Sequence, residues 1–367
     1  MAYVTENITF NEKLLHIVSA EVVENAEASG LRYVTSGQPG FSRRREGDMF
    51  FYFDGKKKLR NKEHLNRIKS LVLPPAWENV WICRFPNGHM QATGFDKLNR
   101  KQYRYHNTWI KIRNQTKFNR MLEFGEVLPQ IRKKLEKDLS VPGFPQNKVL
   151  AAMISLLERI NIRVGNSSYE KLYGSFGLTT LKNHHVKING TRLHLMFKGK
   201  KGVRHNITFS SRRLSRIIKG CKEIPGKELF EYFDEEGNIR PVDSGMVNDY
   251  IRFISDSDFT AKDFRTWAGS VQSIIAFREV GHFLTTAEMN HKIPAALDIV
   301  AEKLGNTRSV CKKYYVHPLI LDLYQEKKLD KYLSELDKVE SRHDDDGYVA
   351  EERVLLKILR SAHAPHV

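Results

Sequence analysis

The sequence predicts an α+β protein of two domains. A small, basic, β-rich N-terminal domain spans residues 1–112, and a mainly α-helical domain spans 113–367 and carries a small three-stranded antiparallel sheet. Three observations predict this. Residues 31–120 hold 20 Lys+Arg against 6 Asp+Glu, a local net of +14 within a total of +17. Aromatic clusters and turn residues punctuate that same stretch at strand spacing. Beyond it, apolar residues recur with a helical period, interrupted once, over 178–209, by short strand-like runs.

Each element follows in chain order. Residues 1–29 read as an amphipathic lead-in, with Leu14, Leu15, Ile17 and Val18 ahead of an acidic stretch. Met49-Phe50-Phe51-Tyr52-Phe53 reads as a strand closed by the turn signal Asp54-Gly55, a helix is expected near Glu63–Leu71, and Pro74-Pro75 breaks the chain again. In Gln102-Tyr103-Arg104-Tyr105 side chains alternate if the segment is a strand, so Tyr103 and Tyr105 would share a face. Val149, Leu150, Met153, Ile154, Leu157 and Ile160 then fall at the spacing of one helix face. Leu178–Leu181, His185–Ile188, Arg192–Phe197 and Val203–Phe209 read as short strands, with Asn189-Gly190 as a two-residue hairpin turn. Gly199-Lys200-Lys201-Gly202 makes a second turn with lysines at its tip. Thr260 and Asp263 resemble a capping box opening the helix that carries Arg265. Ala295–Leu304 is helical and stops at Gly305, and a further helix from about Thr307 carries Tyr314 and Tyr315. Asp344, Asp345 and Asp346 form a solvated turn before a last helix, Glu351–Leu359.

Composition narrows the function. A net charge of +17 attracts polyanions, nucleic acid foremost. No run of about eighteen apolar residues and no signal-peptide pattern is present, so a cytoplasmic location is expected. Cys83, Cys221 and Cys311 lie far apart without a CxxC pair, which suits buried thiols in a reducing compartment rather than a zinc site. His184-His185 lacks partners at metal spacing, and neither GxxxxGK[ST] nor GxGxxG occurs. No metal and no organic cofactor is expected.

Phosphodiester transfer without a metal needs fixed cations around the non-bridging oxygens, where charge builds up in the five-coordinate transition state. Arginine suits that task because its planar fork donates two parallel hydrogen bonds. The leaving oxygen needs a proton and the nucleophile needs placing. Composition alone does not pick such residues from 60 basic ones.

Four short motifs do. Ile162-Arg163-Val164-Gly165, Phe197-Lys198-Gly199-Lys200, Lys262-Asp263-Phe264-Arg265-Thr266 and Leu304-Gly305-Asn306 followed by Tyr315 occur in that order, behind the block Arg100-Lys-Gln-Tyr-Arg-Tyr105. Together they resemble the type IB DNA topoisomerases of bacteria and poxviruses, over roughly residues 30–330. The resemblance implies that Arg163 and Arg265 hold the scissile phosphate, that Lys200 protonates the leaving 5′-oxygen, and that Tyr315 attacks phosphorus to give a 3′-phosphotyrosyl enzyme. It implies DNA contacts for Arg100, Gln102, Tyr103 and Tyr105. The expected partner is duplex DNA, preferably supercoiled, gripped by a monomer whose two domains close as a clamp, in association with the nucleoid. Asn306 stands where poxvirus and eukaryotic relatives place histidine, and bacterial members resemble this chain there. An amide still donates to a phosphate oxygen but cannot act as a base.

Each residue taken singly has a plainer explanation. Arg163 could serve a helix C-terminus, Lys200 a solvated loop, Tyr315 the half-buried edge of a core. Arg265 is the exception, since a cation near a helix start opposes the dipole. Order and separation favour the catalytic reading. A tyrosine recombinase is the alternative enzyme, opposed by the β-rich N-terminal domain and Asn306. An architectural DNA-binding protein is the alternative without chemistry, and it would form no bond between Tyr315 and DNA.

Overall fold

The structure is a computed structural model that describes residues 26–97, 99, 101–339 and 347–363. Leu14, Leu15, Ile17 and Val18 of the lead-in, Arg100, and the run Asp344–Asp346 lie outside the described residues. The chain divides into two compact units, Met1–Lys117 and Phe118–Val367.

The first unit is built on a six-stranded antiparallel sheet. In chain order its strands are β1 (Phe41–Glu46), β2 (Met49–Asp54), β3 (Lys57–Lys58), β4 (Glu78–Ile82), β5 (Met90–Phe95) and β6 (Lys101–Tyr105), and in space they run β3-β2-β1-β4-β5-β6. Helix α1 (Lys62–Ser70) starts at Asn61, whose side chain accepts a hydrogen bond from the His64 backbone N–H. Its residue Ile68 is buried with Phe41, Val80, Ile82 and Ala92 from the sheet. Strand β1 lays Arg43, Arg44 and Arg45 opposite Tyr52, Phe51 and Phe50 of β2. Arg43 lies over the Phe50 ring at 4.4 Å and Arg44 over Phe53 at 4.5 Å, so the cations are seated on aromatic faces.

Helix α2 (Asn107–Leu139) contains the boundary between the units. Helix α3 (Gln146–Ile160) buries Val149, Leu150, Met153, Ile154, Leu157 and Ile160, the six residues that the periodicity singled out. After α4 (Ser167–Tyr173) come β7 (Val186–Asn189), β8 (Arg192–Lys198) and β9 (Arg204–Ser210), a three-stranded antiparallel sheet in the order β7-β8-β9. Two local expectations are corrected here. Leu178–Thr180 is a 3₁₀ turn rather than a strand, because the Leu178 and Thr179 N–H groups donate to Arg163 and Val164 carbonyls instead of to a sheet. Asn189 pairs with Arg192, so the hairpin turn is Gly190-Thr191, one residue beyond the expected pair, with Gly190 at φ +58°.

Among the described residues that follow, one short hairpin, β10 (Glu231–Phe233) with β11 (Ile239–Pro241), accompanies a run of helices. The helices are α5 (Arg212–Glu223), α6 (Ser244–Ser255), α7 (Ala261–Val280), α8 (Thr286–Leu304), α9 (Arg308–Tyr314), α10 (Pro318–Gln325), α11 (Asp330–Val339) and α12 (Ala350–His363). Helix α8 starts nine residues before the expected Ala295 and runs through Pro294. Helix α7 lies in the core, where Phe264 and Trp267 pack edge-on against Phe124 of α2. Trp267 also donates to Glu352 of α12, whose carboxylate accepts both terminal nitrogens of Arg132. The three cysteines are buried and unbridged.

Candidate active site

Four chain segments converge, and each does so for a local reason. Helix α3 ends at Asn161 in a left-handed conformation (φ +54°), which turns the chain so that Ile162 is buried and Arg163 follows it. The Arg163 loop is held from behind by Gly177. A methyl group there would stand 2.5 Å from the Gly165 Cα and 2.7 Å from the Arg163 carbonyl oxygen, so only glycine lets the two backbones meet.

Arg265 sits in the second turn of α7. Asp263 in the first turn accepts hydrogen bonds from the Thr260 N–H (2.8 Å) and hydroxyl (2.9 Å), which places a carboxylate at the positive end of the helix. Arg265 is 5% exposed. Its terminal nitrogens donate to the carbonyls of Asn161 and of Leu304 (2.9 Å), while Nε is buried with no acceptor among the described residues. The guanidinium carbon lies 5.2 Å from the centroid of the Tyr315 ring.

The third segment is the corner after α8. Gly305 takes the left-handed conformation that ends the helix, and the Asn306 N–H returns to the Ala301 carbonyl at 2.9 Å. The Asn306 Oδ1 accepts from Arg163 Nη2, and its Nδ2 donates to the Leu304 carbonyl at 3.3 Å. The Leu304 carbonyl therefore accepts from both Asn306 and Arg265. Burial, then the charge of Arg265, lowers the pKa of Arg163. Among the described residues neither arginine pairs with a carboxylate, so the two neighbouring cations are held by neutral carbonyl and amide oxygens and keep their net positive charge. Such a pocket favours an anion.

The fourth segment brings the phenol. Tyr315 is not inside α9, as the sequence suggests, but caps its end at φ −128° and ψ −33°. Its backbone is clasped by α7. A methyl at Gly269 would stand 2.7 Å from the Tyr315 Cβ. The fully buried Ser270 donates to the Tyr315 carbonyl at 3.2 Å and accepts from the His317 N–H at 3.0 Å. Tyr315 is half-buried against the core, whereas Tyr314 is 38% exposed and lies under Lys313.

Lys200 is exposed on the β8–β9 turn, which the Gly199 N–H closes onto the Val203 carbonyl at 2.7 Å. In the first unit, Tyr103 and Tyr105 stack at 5.9 Å on one face of β6, and Tyr103 is 47% exposed. Gln102 lies on the other face and donates to Asp96 at 2.9 Å. Gly269 and Ser270 escape the sequence reading, although Gly269 is one helical turn beyond Arg265. His205 escapes it too. Alternation along β9 puts it on a face with Val203, Ile207 and Phe209, which was the available signal.

A family model described as the catalytic core of eukaryotic DNA topoisomerase I matches residues 106–342, and one for the N-terminal domain of bacterial DNA topoisomerase IB matches residues 49–96. DNA topoisomerase 1B of Acanthamoeba polyphaga mimivirus is 36% identical over 295 residues, covering 78% of this chain and 88% of that protein. The chain belongs to the type IB DNA topoisomerases. DNA topoisomerase 1B of vaccinia virus (strain Copenhagen) is more distant, 24% identical over 242 residues, covering 64% of this chain and 72% of that one. For a type IB topoisomerase, a phenol beside paired arginines is the chemistry to be explained.

Proposed function

We propose that this type IB DNA topoisomerase relaxes supercoiled duplex DNA as a monomer, with Tyr315, Arg163, Arg265, Asn306 and Lys200 as its reacting set. The observation that carries this reading is the pair of arginines, one buried against the Tyr315 ring and the other half-buried on Asn306, with no carboxylate paired to either among the described residues. A phosphodiester seated there supplies the missing negative charge. Arg163, Arg265 and the Asn306 amide donate to its non-bridging oxygens, most strongly as these gain charge in the transition state.

The Tyr315 oxygen attacks phosphorus, the bond to the 5′-oxygen breaks, and Lys200 delivers a proton to that oxygen. The products are a 3′-phosphotyrosyl enzyme and a free 5′-hydroxyl. One bond to phosphorus replaces another, so no nucleotide triphosphate is needed to reseal the strand. Rotation about the intact strand relaxes the helix before the 5′-hydroxyl attacks and releases Tyr315. Asn306 has no titratable group, so the phenolic proton passes to water.

The basic sheet of the first unit supplies sequence-independent grip through the exposed Arg44 and Arg45, with Arg100, Gln102, Tyr103 and Tyr105 contacting the duplex as well. Gln102 must release Asp96 before it can meet a base edge. Incubation with negatively and positively supercoiled plasmid, in EDTA and without ATP, tests the whole reading. Relaxation of both is expected, and relaxation of neither would refute it.

A further inference from the structure

The geometry points to His205 as a positioning residue for Lys200. Its imidazole is the spacer that sets the distance between the lysine-bearing turn and the Gly305–Asn306 corner. This inference rests on Lys200 being the acid that protonates the leaving oxygen.

His205 lies on β9 directly opposite Phe197 of β8, and the two rings stack at 4.7 Å with 17° between their planes. That stack fixes the plane of the imidazole. Its edge is then closed in from two directions. A methyl group at Gly199 would stand 2.7 Å from the His205 Nε2, and one at Gly305 would stand 2.8 Å from its Cε1. Gly199 directly precedes Lys200, and Gly305 directly precedes Asn306. One ring therefore touches the backbone immediately before the acid and the backbone immediately before the phosphate-binding amide. Both neighbours lack a side chain, which allows the contact to be this close.

The ring is suited to spacing rather than to proton transfer. Burial, then the positive charges of Arg163 and Arg265, lowers its pKa below the ordinary imidazole value, so it adds no third cation at neutral pH. Lysine is a flexible point charge, and the reach of its ammonium depends on where the turn stands. A general acid must come within about 2.6–3.2 Å of the oxygen it protonates. A displacement of about 1 Å can cost ~10²-fold in rate. Removing the spacer would let the turn settle toward the corner without touching any group that contacts DNA.

The test is single-turnover cleavage of two substrates, one with oxygen and one with sulfur at the 5′-bridging position, since a thiolate leaves without a proton. Lys200→Ala is expected to be slow on oxygen and to recover on sulfur. His205→Ala should share that signature, at least ~10-fold slow on oxygen with recovery on sulfur. Gly199→Ala, which wedges the same contact from the other side at an ordinary φ of −89°, should share it as well. His205→Phe keeps a ring in the slot and should restore most of the rate on oxygen. Wild-type cleavage of the oxygen substrate by His205→Ala would overturn the inference. A defect equal on both substrates, with Lys200→Ala rescued, would overturn it while leaving the acid assignment standing. If Lys200→Ala itself fails to recover on sulfur, the acid assignment falls and the inference falls with it.

Discussion

In the proposed mechanism Asn306 has two tasks, and substitutions separate them. Its Oδ1 accepts from Arg163 Nη2, which orients that guanidinium, and its Nδ2 donates to the Leu304 carbonyl at a long 3.3 Å. Nδ2 is thus the group available to turn to a phosphate oxygen. Asn306→Ala removes both. Loss of one preorganised donor costs about 3–4 kcal/mol of transition-state stabilisation. Loss of a hydrogen bond to a charged group costs a further ~1.5–3 kcal/mol, but Arg163 would retain the phosphate as a partner, so the total should stay near ~3–5 kcal/mol. At 1.36 kcal/mol per factor of ten, cleavage should slow by roughly 10²–10⁴-fold. Asn306→Asp keeps the acceptor for Arg163 and removes the donor, so it should be no faster than Ala, with its negative charge repelling the phosphate. Asn306→His should retain substantial activity and show an inflection in its pH–rate profile near ~6.5 that the wild type lacks. Single-turnover cleavage of a duplex across pH 5–9 measures all three. If Asn306→Ala cleaves at the wild-type rate, Asn306 only caps the corner after α8. If Asn306→Asp does so, orienting Arg163 is its whole task.

The other expectations are simpler. Arg163→Ala and Arg265→Ala should each slow cleavage and resealing by at least ~10²-fold, with little change in DNA affinity in a filter-binding assay because many basic residues share that contact. Gly269→Ala puts a methyl 2.7 Å from the Tyr315 Cβ and should slow cleavage while leaving affinity intact; an unchanged rate would mean that α7 does not position the phenol. His185 accepts from the Lys182 N–H at 3.0 Å and so must stay neutral, and burial lowers its pKa to about 4. Its folded pKa lies below the unfolded value of 6.5, so stability should be full above that pH and fall as pH drops toward 4. Urea midpoints across that window should flatten in His185→Gln.

Much of the fold was legible because the deciding residues signal locally. The α3 face follows from six apolar residues at helical spacing, and the end of α8 follows from Gly305. The start of α8 was not legible, because Pro294 reads as a boundary in a chain that tertiary packing keeps helical on both sides. Leu178–Leu181 looks like a strand until the Arg163 loop is known to take its N–H groups, which is a non-local fact. The catalytic candidates were found by resemblance, and spacing alone would not have chosen them. What sequence could not convey is how they are held. The Gly177 contact behind Arg163, the Ser270 clasp on Tyr315 and the His205 contact with Gly305 each join residues far apart in the chain; a lone glycine or serine carries no periodic signal, and alternation along β9 gives the face of His205 but not what it meets there.

In the proposed reaction Tyr315, and not its neighbour, becomes bonded to DNA. Tyr314 is more exposed, but Tyr315 has Arg265 against its ring and its backbone clasped by Gly269 and Ser270. Trapping the cleaved complex with denaturant, digesting protein and DNA, and sequencing the nucleotide-bearing peptide by mass spectrometry reads the answer directly. A nucleotide is expected on Tyr315, absent in Tyr315→Phe and retained in Tyr314→Phe; a nucleotide on Tyr314 would make the neighbouring phenol the nucleophile and overturn the assignment.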